Sequence, residues 1–276
     1  MNENKILFTI GRMNPPTTGH MLLIQSMMDQ AIRLNLTQIF IILSATVDDK
    51  KNPFECEEKR SYLYGKSGFG EKVHGIIDTI KDRLKREHSL DSVYQNKVNA
   101  LKVEIICMDD PTLPEYGTNP IMKSILSILA SYKEKENLQM ILMIGQDRAT
   151  DFQWIGNTLA SFQPPIQFNV LPISRPAGAV SATLIRQLAL SNNEKEFLKQ
   201  MEPLGLPKEE LEEIYKDIQE RIKIKGGKKK KRKKQTQKKM RKAQKVKKIR
   251  KIKSRKAYKN KKGSNKSNLG IKYLSI

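Results

Sequence analysis

The sequence predicts an α/β protein in which helices flank a parallel sheet of about five strands. Short apolar, β-branched runs alternate with longer segments of helical periodicity, and this alternation is typical of consecutive βαβ units. A length of 276 residues leaves room for one large domain or two small ones. We therefore expect a doubly wound sheet, and the distribution of charge predicts where the folded part ends.

Charge divides the chain at about residue 222. Residues 223–276 contain 26 of the 52 Lys and Arg residues and no Asp or Glu, so residues 1–222 hold the other 26 together with all 29 acidic residues. Beyond Gly226 and Gly227 the apolar residues are too few to bury a core. We expect a folded domain over 1–222, with C-terminal helices, and a basic tail over 223–276 that is disordered or partly helical.

Five segments have the composition of strands in a parallel sheet, because β-branched and apolar residues dominate each of them. They are Lys5–Ile10, Gln38–Leu43, Lys102–Cys107, Met140–Ile144 and Ile166–Leu171. Segments of helical periodicity lie between and after them. We expect helices after His20, over Glu57–Tyr64, over Gly75–Arg86, over Pro120–Lys135 and from Thr183 onward.

The ten residues from Gly11 to His20 link the first predicted strand to the first predicted helix. Gly11 permits a tight turn and a close approach to a ligand. Thr17 and His20 are three residues apart, so they share a face of the first helical turn. Helix-start amides and the positive end of the helix dipole would converge there with an imidazole, and this turn therefore predicts a phosphate site.

Two motifs resemble the signatures of the nucleotidylyltransferase superfamily. Thr17, Gly19 and His20 match the first signature, (His/Thr)-x-Gly-His. Residues 180–186, Val-Ser-Ala-Thr-Leu-Ile-Arg, match the second, (Ile/Val)-Ser-x-Thr-x-(Ile/Leu)-Arg. The motifs lie in the expected order along the chain. The resemblance implies a Rossmann-like fold and transfer of a nucleoside monophosphate from a nucleoside triphosphate, with release of pyrophosphate.

The resemblance implies catalytic roles for three side chains. His20 would donate to the α-phosphate as negative charge builds on its oxygens, and Thr17 would assist from the adjacent turn. Arg186 would hold the departing pyrophosphate, since a guanidinium stays charged and its fork of N–H groups matches phosphate oxygens. Mg²⁺ would bridge the phosphates. The sequence identifies no carboxylate as its ligand.

By the same resemblance, five further residues would bind the nucleotide. They are Gly11, Arg12, Gly19, Ser181 and Thr183. The backbone at Gly11 and the Arg12 side chain would approach the triphosphate, whereas the two hydroxyls would meet its β and γ phosphates. Structural roles stay open, because Ser181 could simply cap a helix and Arg12 could simply be solvated.

The middle of the chain contains candidate residues for binding the acceptor. Gly145 and Asp147, with Trp154 downstream, resemble a segment of the nicotinamide and nicotinate mononucleotide adenylyltransferases. Asp147 would then accept a hydrogen bond from the acceptor or a ribose, and Trp154 would stack on the pyridine ring, although a core aromatic is an equally good interpretation. Residues 174–178, Ser-Arg-Pro-Ala-Gly, resemble the Arg-Pro-Gly loop of that branch, from which the inserted Ala177 departs.

These resemblances favour ATP as the nucleotide and nicotinamide or nicotinate mononucleotide as the phosphorylated acceptor. A cytidylyltransferase that uses CTP and a phosphorylated alcohol stays open, although Pro176 and Arg186 count against it. The polar loop after the second strand resembles that of short nucleotidylyltransferase-like proteins of phages and large DNA viruses. In that loop Lys51 and Asn52 are further candidates for phosphate contact.

The basic tail favours a polyanionic partner. Runs such as Lys228–Lys234, within residues 228–262, would neutralise phosphates and release counterions, which gives binding to RNA or DNA without sequence specificity. A third hypothesis is therefore a nucleic-acid-associated protein in which the tail supplies the function. In a eukaryotic cell the same run would also serve as a nuclear or nucleolar import signal.

Cysteine usage and hydropathy suggest the compartment. Cys56 and Cys107 indicate neither a disulfide framework nor a zinc site, so we expect a reducing environment. No apolar run approaches the roughly 18 residues of a membrane helix, and the first residues do not resemble a signal peptide. These features predict an intracellular, cytoplasmic protein without a membrane segment.

Overall fold

A computed structural model of the chain describes residues 4–65, 67–68, 71–72, 74–132, 135–174, 176 and 179–222. The predicted basic tail, 223–276, lies outside the described residues. So do Arg175, Ala177 and Gly178 of the segment that precedes the second motif.

Strands in the described part of the chain form two sheets. They are β1 (Lys5–Gly11), β2 (Gln38–Leu43), β3 (Ser67–Gly68), β4 (Glu71–Lys72), β5 (Lys102–Cys107), β6 (Gln139–Gly145) and β7 (Gln167–Ile173). The larger sheet is parallel throughout and has the order β5-β2-β1-β6-β7. The short strands β3 and β4 pair with each other in an antiparallel hairpin.

Helices follow the strands and cover both faces of the larger sheet. They are α1 (Thr18–Arg33), α2 (Cys56–Tyr64), α3 (Ile76–Glu87), α4 (Ser92–Ala100), α5 (Pro120–Ala130), α6 (Gln153–Ala160), α7 (Ala182–Leu190), α8 (Glu194–Met201) and α9, over 208–222. Among the residues that the structure describes, no helix combines the length and the apolar character needed to cross a bilayer.

The fold class predicted from the sequence is confirmed, because a five-stranded parallel sheet flanked by helices is a Rossmann-like α/β architecture. All five predicted strands are present, with bounds that differ by at most two residues. Two helices between the motifs, α4 and α6, were not predicted. Each of them buries only two side chains, so its apolar periodicity is weak.

The helix predicted over Pro120–Lys135 is present as α5, but the predicted C-terminal end is wrong, because α5 ends at Ala130. The amide of Ser131 donates to the carbonyl of Ile128, and that of Tyr132 donates to the carbonyl of Leu129, at 3.0 and 2.9 Å. These bonds reach back three residues instead of four, and they tighten the end of the helix into a turn.

Alternation along the strands builds a core on each face of the sheet. Leu7 of β1 belongs to the core that includes residues of α1 to α4 and α7 to α9, whereas its neighbour Phe8 belongs to the core that includes residues of α5 and α6. Both side chains are fully buried. Because successive residues of a strand point to opposite faces, a continuous apolar run is what a sheet covered on both faces requires.

The strand order places a crevice beside β1. The chain runs outward from β1 to β2 and β5 on one side, and to β6 and β7 on the other. The connections therefore diverge between β1 and β6, and such a switch point leaves an opening beyond the carboxyl ends of the strands. Gly11 ends β1 and Gly145 ends β6, so both lie at the opening.

A disulfide joins Cys56, at the start of α2, to Cys107, at the end of β5, with their Cα atoms 5.8 Å apart. The expectation that these cysteines form no disulfide is therefore wrong, and the argument from cysteine usage for a reducing compartment does not hold. The pairing was not visible in the sequence because 51 residues separate the two positions. They meet because β5 pairs in parallel with β2, and α2 follows β2.

Candidate functional site

A cleft of about 460 Å³ lies at the carboxyl ends of the strands. It is bounded by the ends of β1, β6 and β7, the first turns of α1 and α7, and the loop after β2. Ten of the eleven residues to which the sequence analysis gave catalytic, nucleotide-binding or acceptor-binding roles line it, and so do the further candidates Lys51 and Asn52. The ten are Gly11, Arg12, Thr17, Gly19, His20, Gly145, Asp147, Ser181, Thr183 and Arg186.

Trp154 is the exception. It lies in α6, is partly buried, and packs against the core on the face of the sheet that α5 and α6 cover. The structure does not bring it to the cleft. The interpretation of Trp154 as a core aromatic therefore fits the geometry, and stacking on an acceptor ring does not.

His20 is fixed by the residue that begins its helix. The backbone N–H of Thr17 donates to Nδ1 of His20 at 3.1 Å, and the Thr17 hydroxyl oxygen lies 2.9 Å from the same nitrogen. Because Nδ1 accepts from a backbone amide, the neutral ring carries its proton on Nε2. The arrangement sets both the orientation and the tautomer of the imidazole at the cleft wall.

The second motif begins α7. The Ser181 hydroxyl accepts from the amide of Leu184 at 3.2 Å, so Ser181 does cap the helix as well as line the cleft. Arg186, one turn further on, donates from Nη1 to the carbonyl of Asn14 at 2.6 Å and from Nη2 to Thr183 Oγ1 at 3.3 Å. Arg186 thus joins the second motif to the turn that follows β1.

The starts of α1 and α7 are in direct contact. The amide of Val180 donates to Oγ1 of Thr18 at 3.1 Å. A Cβ atom on Gly19 would lie 3.2 Å from the carbonyl oxygen of Val180, a tight contact that would push the two segments slightly apart. Glycine at position 19 therefore allows the two helix starts to approach each other at one cleft.

The loop after β2 is held against the same turn. Nδ2 of Asn14 donates to the carbonyl of Phe54 at 2.8 Å, and Oδ1 of Asn14 accepts from the amide of Phe54 at 3.0 Å. Asn14 is buried, so this reciprocal pair is shielded from water. It fixes the end of the loop that brings Lys51 and Asn52 to the cleft.

Asp48 organises the tip of that loop. Its Oδ1 accepts the amides of Lys50 and Lys51 at 2.8 and 2.6 Å, and Oδ2 accepts from Nδ2 of Asn52. Desolvation raises the pKa of Asp48, but the hydrogen bonds from the loop outweigh it and lower the pKa to about 2. The carboxylate is therefore ionised at neutral pH and keeps the loop closed on itself.

Positive charge dominates the cleft. The described lining residues include four cations, Arg12, Lys51, Arg148 and Arg186, against one carboxylate, that of Asp147. Burial, and then the nearby Arg12, lower the pKa of Arg186 below its ordinary value. An arginine remains charged after such a shift. Two guanidinium groups that repel each other across a cleft are stabilised by an anion between them.

Gly145 and Asp147 lie together at the end of β6. A Cβ atom on Gly145 would lie 2.7 Å from Oδ1 of Asp147, so a larger residue at 145 would displace the carboxylate. Ser174 and Pro176 line the cleft beside them, just after β7, and Ser174 Oγ donates to Gln146 Oε1 at 3.0 Å. The sequence-predicted acceptor segment, except Trp154, thus borders the same cleft as the phosphate motifs.

The described lining would offer a Mg²⁺ ion a single protein carboxylate, so it fits only an ion that substrate phosphates would also hold. Asp147 is the one carboxylate among the described lining residues, and Mg²⁺ commonly takes one or two carboxylates together with substrate phosphates. In the described chain, the one His, Cys, Asp or Glu cluster with metal-ligand spacing is Cys56, Cys107 and Asp109. Its two sulfur atoms are joined in the disulfide, so it offers no thiolate pair.

Sequence reasoning did not find two residues that complete the cleft. Asn14 lies inside the first motif segment, but its contact with Phe54 spans 40 residues and has no local signal. Arg148 lines the cleft, and its guanidinium lies 5.1 Å from the ring of Phe152 and pairs with Asp151. Its position directly after Asp147 was the only local indication of a role.

No protein-family model matches this chain, and no curated protein matches it.

Proposed function

We propose that this chain is a nucleotidylyltransferase that transfers a nucleoside monophosphate from a nucleoside triphosphate to a small phosphorylated acceptor. The preferred pair is ATP with nicotinamide or nicotinate mononucleotide, as the resemblance of Gly145 and Asp147 to that branch implies. Attack by an acceptor phosphate oxygen on the α-phosphorus would form one P–O bond and break the bond to the β-phosphate. Pyrophosphate would leave, and the product would contain a new phosphoanhydride.

One observation carries the proposal: two helix starts, 162 residues apart in sequence, meet at a cationic cleft through the hydrogen bond between Thr18 and Val180. Each start bears one of the two motifs. A helix start offers unpaired amides and a positive dipole end, and two of them facing one space suit a chain of phosphates better than a single anion.

The mechanism begins with His20. With Nδ1 accepting from Thr17, the proton on Nε2 would donate to an α-phosphate oxygen. Negative charge on that oxygen grows as the new bond forms, so the interaction is stronger in the transition state than in the ground state. The fixed ring needs no reorganisation as the reaction proceeds.

The outer phosphates would lie against the start of α7. Arg186 would hold the β and γ phosphates, and the Ser181 and Thr183 hydroxyls would border the same space. Arg12 would approach from the end of β1, so that two guanidinium groups would neutralise the departing pyrophosphate. Bound Mg²⁺ would supply further charge neutralisation across the phosphates, with Asp147 as the protein carboxylate available to it.

Pyrophosphate release tests the proposal. Purified protein with Mg²⁺ would be assayed with ATP and with CTP, each combined with nicotinamide mononucleotide, nicotinate mononucleotide or a phosphorylated alcohol, and with His20→Ala as the control. We expect a His20-dependent signal with ATP and a pyridine mononucleotide. CTP with a phosphorylated alcohol would instead identify a cytidylyltransferase.

An absence of signal with every pair would contradict the proposed nucleotidyl transfer. Salt-sensitive RNA or DNA binding that requires residues 228–262 would then favour the third hypothesis, a nucleic-acid-associated protein. Truncation after Gly227 separates the two cases, because the proposed transferase activity resides in residues of the folded domain.

A further inference from the structure

Lys59 is a buried cation beside the start of the loop that follows β2. It lies in α2 with 0% of its surface exposed, and it is the one buried lysine among those whose surroundings the structure describes. Desolvation makes such a position costly for an ammonium group unless hydrogen bonds or opposite charges compensate it. A methionine would fill a similar volume without that cost, so packing alone does not require the charge.

The partners of Lys59 tie it to the end of β2. Its Nζ donates to the carbonyl of Ser44, the first residue after that strand. The acidic groups that act on it are Asp109, which follows β5, and Glu58 on its own helix. Glu58 also accepts both terminal nitrogens of Arg221 from α9, so it is shared with a second cation.

Ser44 connects this cation to the cleft. Its amide donates to the carbonyl of Gly11 at 3.0 Å, and Gly11 lines the cleft. The loop that starts at Ser44 goes on to place Lys51 and Asn52 in the cleft wall. Lys59 therefore binds the carbonyl of Ser44, and the amide of Ser44 binds Gly11, which lines the cleft.

We propose that Lys59 is a positioning residue for the triphosphate: its ammonium holds the start of the cleft loop and adds positive charge beneath it, and loss of the proton weakens phosphate binding. This inference rests on the proposed function, since it concerns binding of the triphosphate in the same cleft. The affinity for the triphosphate would then depend on pH through Lys59, which does not line the cleft.

The pH range follows from the surroundings of Lys59. Burial lowers the pKa of Lys59 to about 8, while Asp109 and Glu58 oppose the decrease. The charged form is therefore present below that pH and is lost above it. An anion bound nearby favours the charged form, so binding raises the pKa and takes up protons near pH 8.

Titration calorimetry with ATP and with inorganic tripolyphosphate tests the inference. The full-length wild type is compared with Lys59→Met, and with Lys199→Met, a matched change at an exposed lysine in α8. At pH 7 we expect Lys59→Met to bind both ligands about tenfold more weakly, the scale of one charge acting across a protein interior. The affinity of the wild type falls toward that of Lys59→Met as the pH rises through about 8, and Lys199→Met follows the wild type.

A second measurement needs no variant. The heat of ATP binding to the wild type at about pH 8, in two buffers of different ionisation enthalpy, gives the number of protons taken up, and we expect net uptake. Equal affinities and pH profiles for the wild type and Lys59→Met, or no proton uptake, would overturn the inference alone. A wild type that binds neither ligand at any pH would overturn the proposed function as well.

Discussion

The hydroxyl of Thr18 accepts a hydrogen bond from the amide of Val180 at 3.1 Å, and this bond joins the first turn of α1 to the residue that precedes the cap of α7. Thr18 and Val180 are both buried. The bond therefore cannot be replaced readily by water, and it fixes the spacing of the two helix starts that line the cleft.

Replacing Thr18 with Val removes this acceptor and leaves a buried amide without a partner. We expect the free energy of unfolding to fall by about 1–3 kcal/mol, and the affinity for ATP to fall with it. Urea denaturation and calorimetry measure the two effects. Thr18→Ser retains the hydroxyl and should stay close to the wild type in both, so a Ser variant as impaired as Thr18→Val would argue against this role.

His20→Ala should lower kcat for pyrophosphate release by about 100- to 1000-fold, because a transition-state hydrogen-bond donor is lost. The dissociation constant for ATP should change much less. Thr17→Ala keeps the backbone amide that donates to Nδ1, so it should lose less than about tenfold. Equal losses in the two variants would show that the backbone amide of Thr17 does not orient the imidazole without the Thr17 hydroxyl.

Arg186→Lys should raise KM for ATP by about tenfold or more, although the charge is kept. The guanidinium donates to Asn14 and Thr183 with different nitrogens, and a single ammonium cannot reproduce that fork. Arg148→Lys is the matched change at another cleft arginine. If Arg186→Lys raises KM for ATP no more than Arg148→Lys does, the geometry of the Arg186 guanidinium is not required.

The disulfide should contribute substantially to stability. A link that closes a loop of 51 residues contributes about 4 kcal/mol in the chain-entropy account. We expect Cys56→Ser to lower the free energy of unfolding by about that amount, and reductant to have the same effect on the wild type but none on the variant. Urea denaturation with and without dithiothreitol measures this, and identical curves would contradict a bonded pair.

Asp48 should make the stability of the protein depend on pH on the acid side. Its pKa is lowered to about 2, so its stabilising contribution is present above its unfolded value of about 3.9 and is lost as the pH falls toward 2. The difference in unfolding free energy between the wild type and Asp48→Asn should narrow steadily below about pH 4. A difference that stays constant down to about pH 3 would show that Asp48 does not hold the loop through its charge.

Local pattern in the sequence was enough to predict the strands and most of the cleft. Each strand is a short apolar run, and Thr17, His20, Ser181 and Arg186 belong to motifs that follow or precede such runs. Once a parallel sheet is assumed, the carboxyl ends of its strands meet at one edge, so residues that follow different strands converge. The cleft residues could therefore be predicted together without knowledge of their contacts.

Contacts between distant segments were not predictable in this way. The Cys56–Cys107 bond, the pairing of Asn14 with Phe54 and the burial of Lys59 all depend on how the loop after β2 and α2 pack beside β5. Trp154 is a residue that the sequence placed near the acceptor and the structure does not. Its place downstream of Asp147 resembles that of a Trp in the adenylyltransferase segment, which suggested an acceptor contact beside the alternative of a core aromatic. The structure places it in α6, packed against the core.

The most direct test of the central claim traces the phosphates of ATP during a reaction with nicotinamide or nicotinate mononucleotide. Nucleotidyl transfer predicts that label in the α-phosphate enters the dinucleotide product and that label in the γ-phosphate leaves as pyrophosphate, both only when His20 is intact. Release of the γ label as orthophosphate, with the α label left in ADP, would show hydrolysis of ATP and would contradict the account.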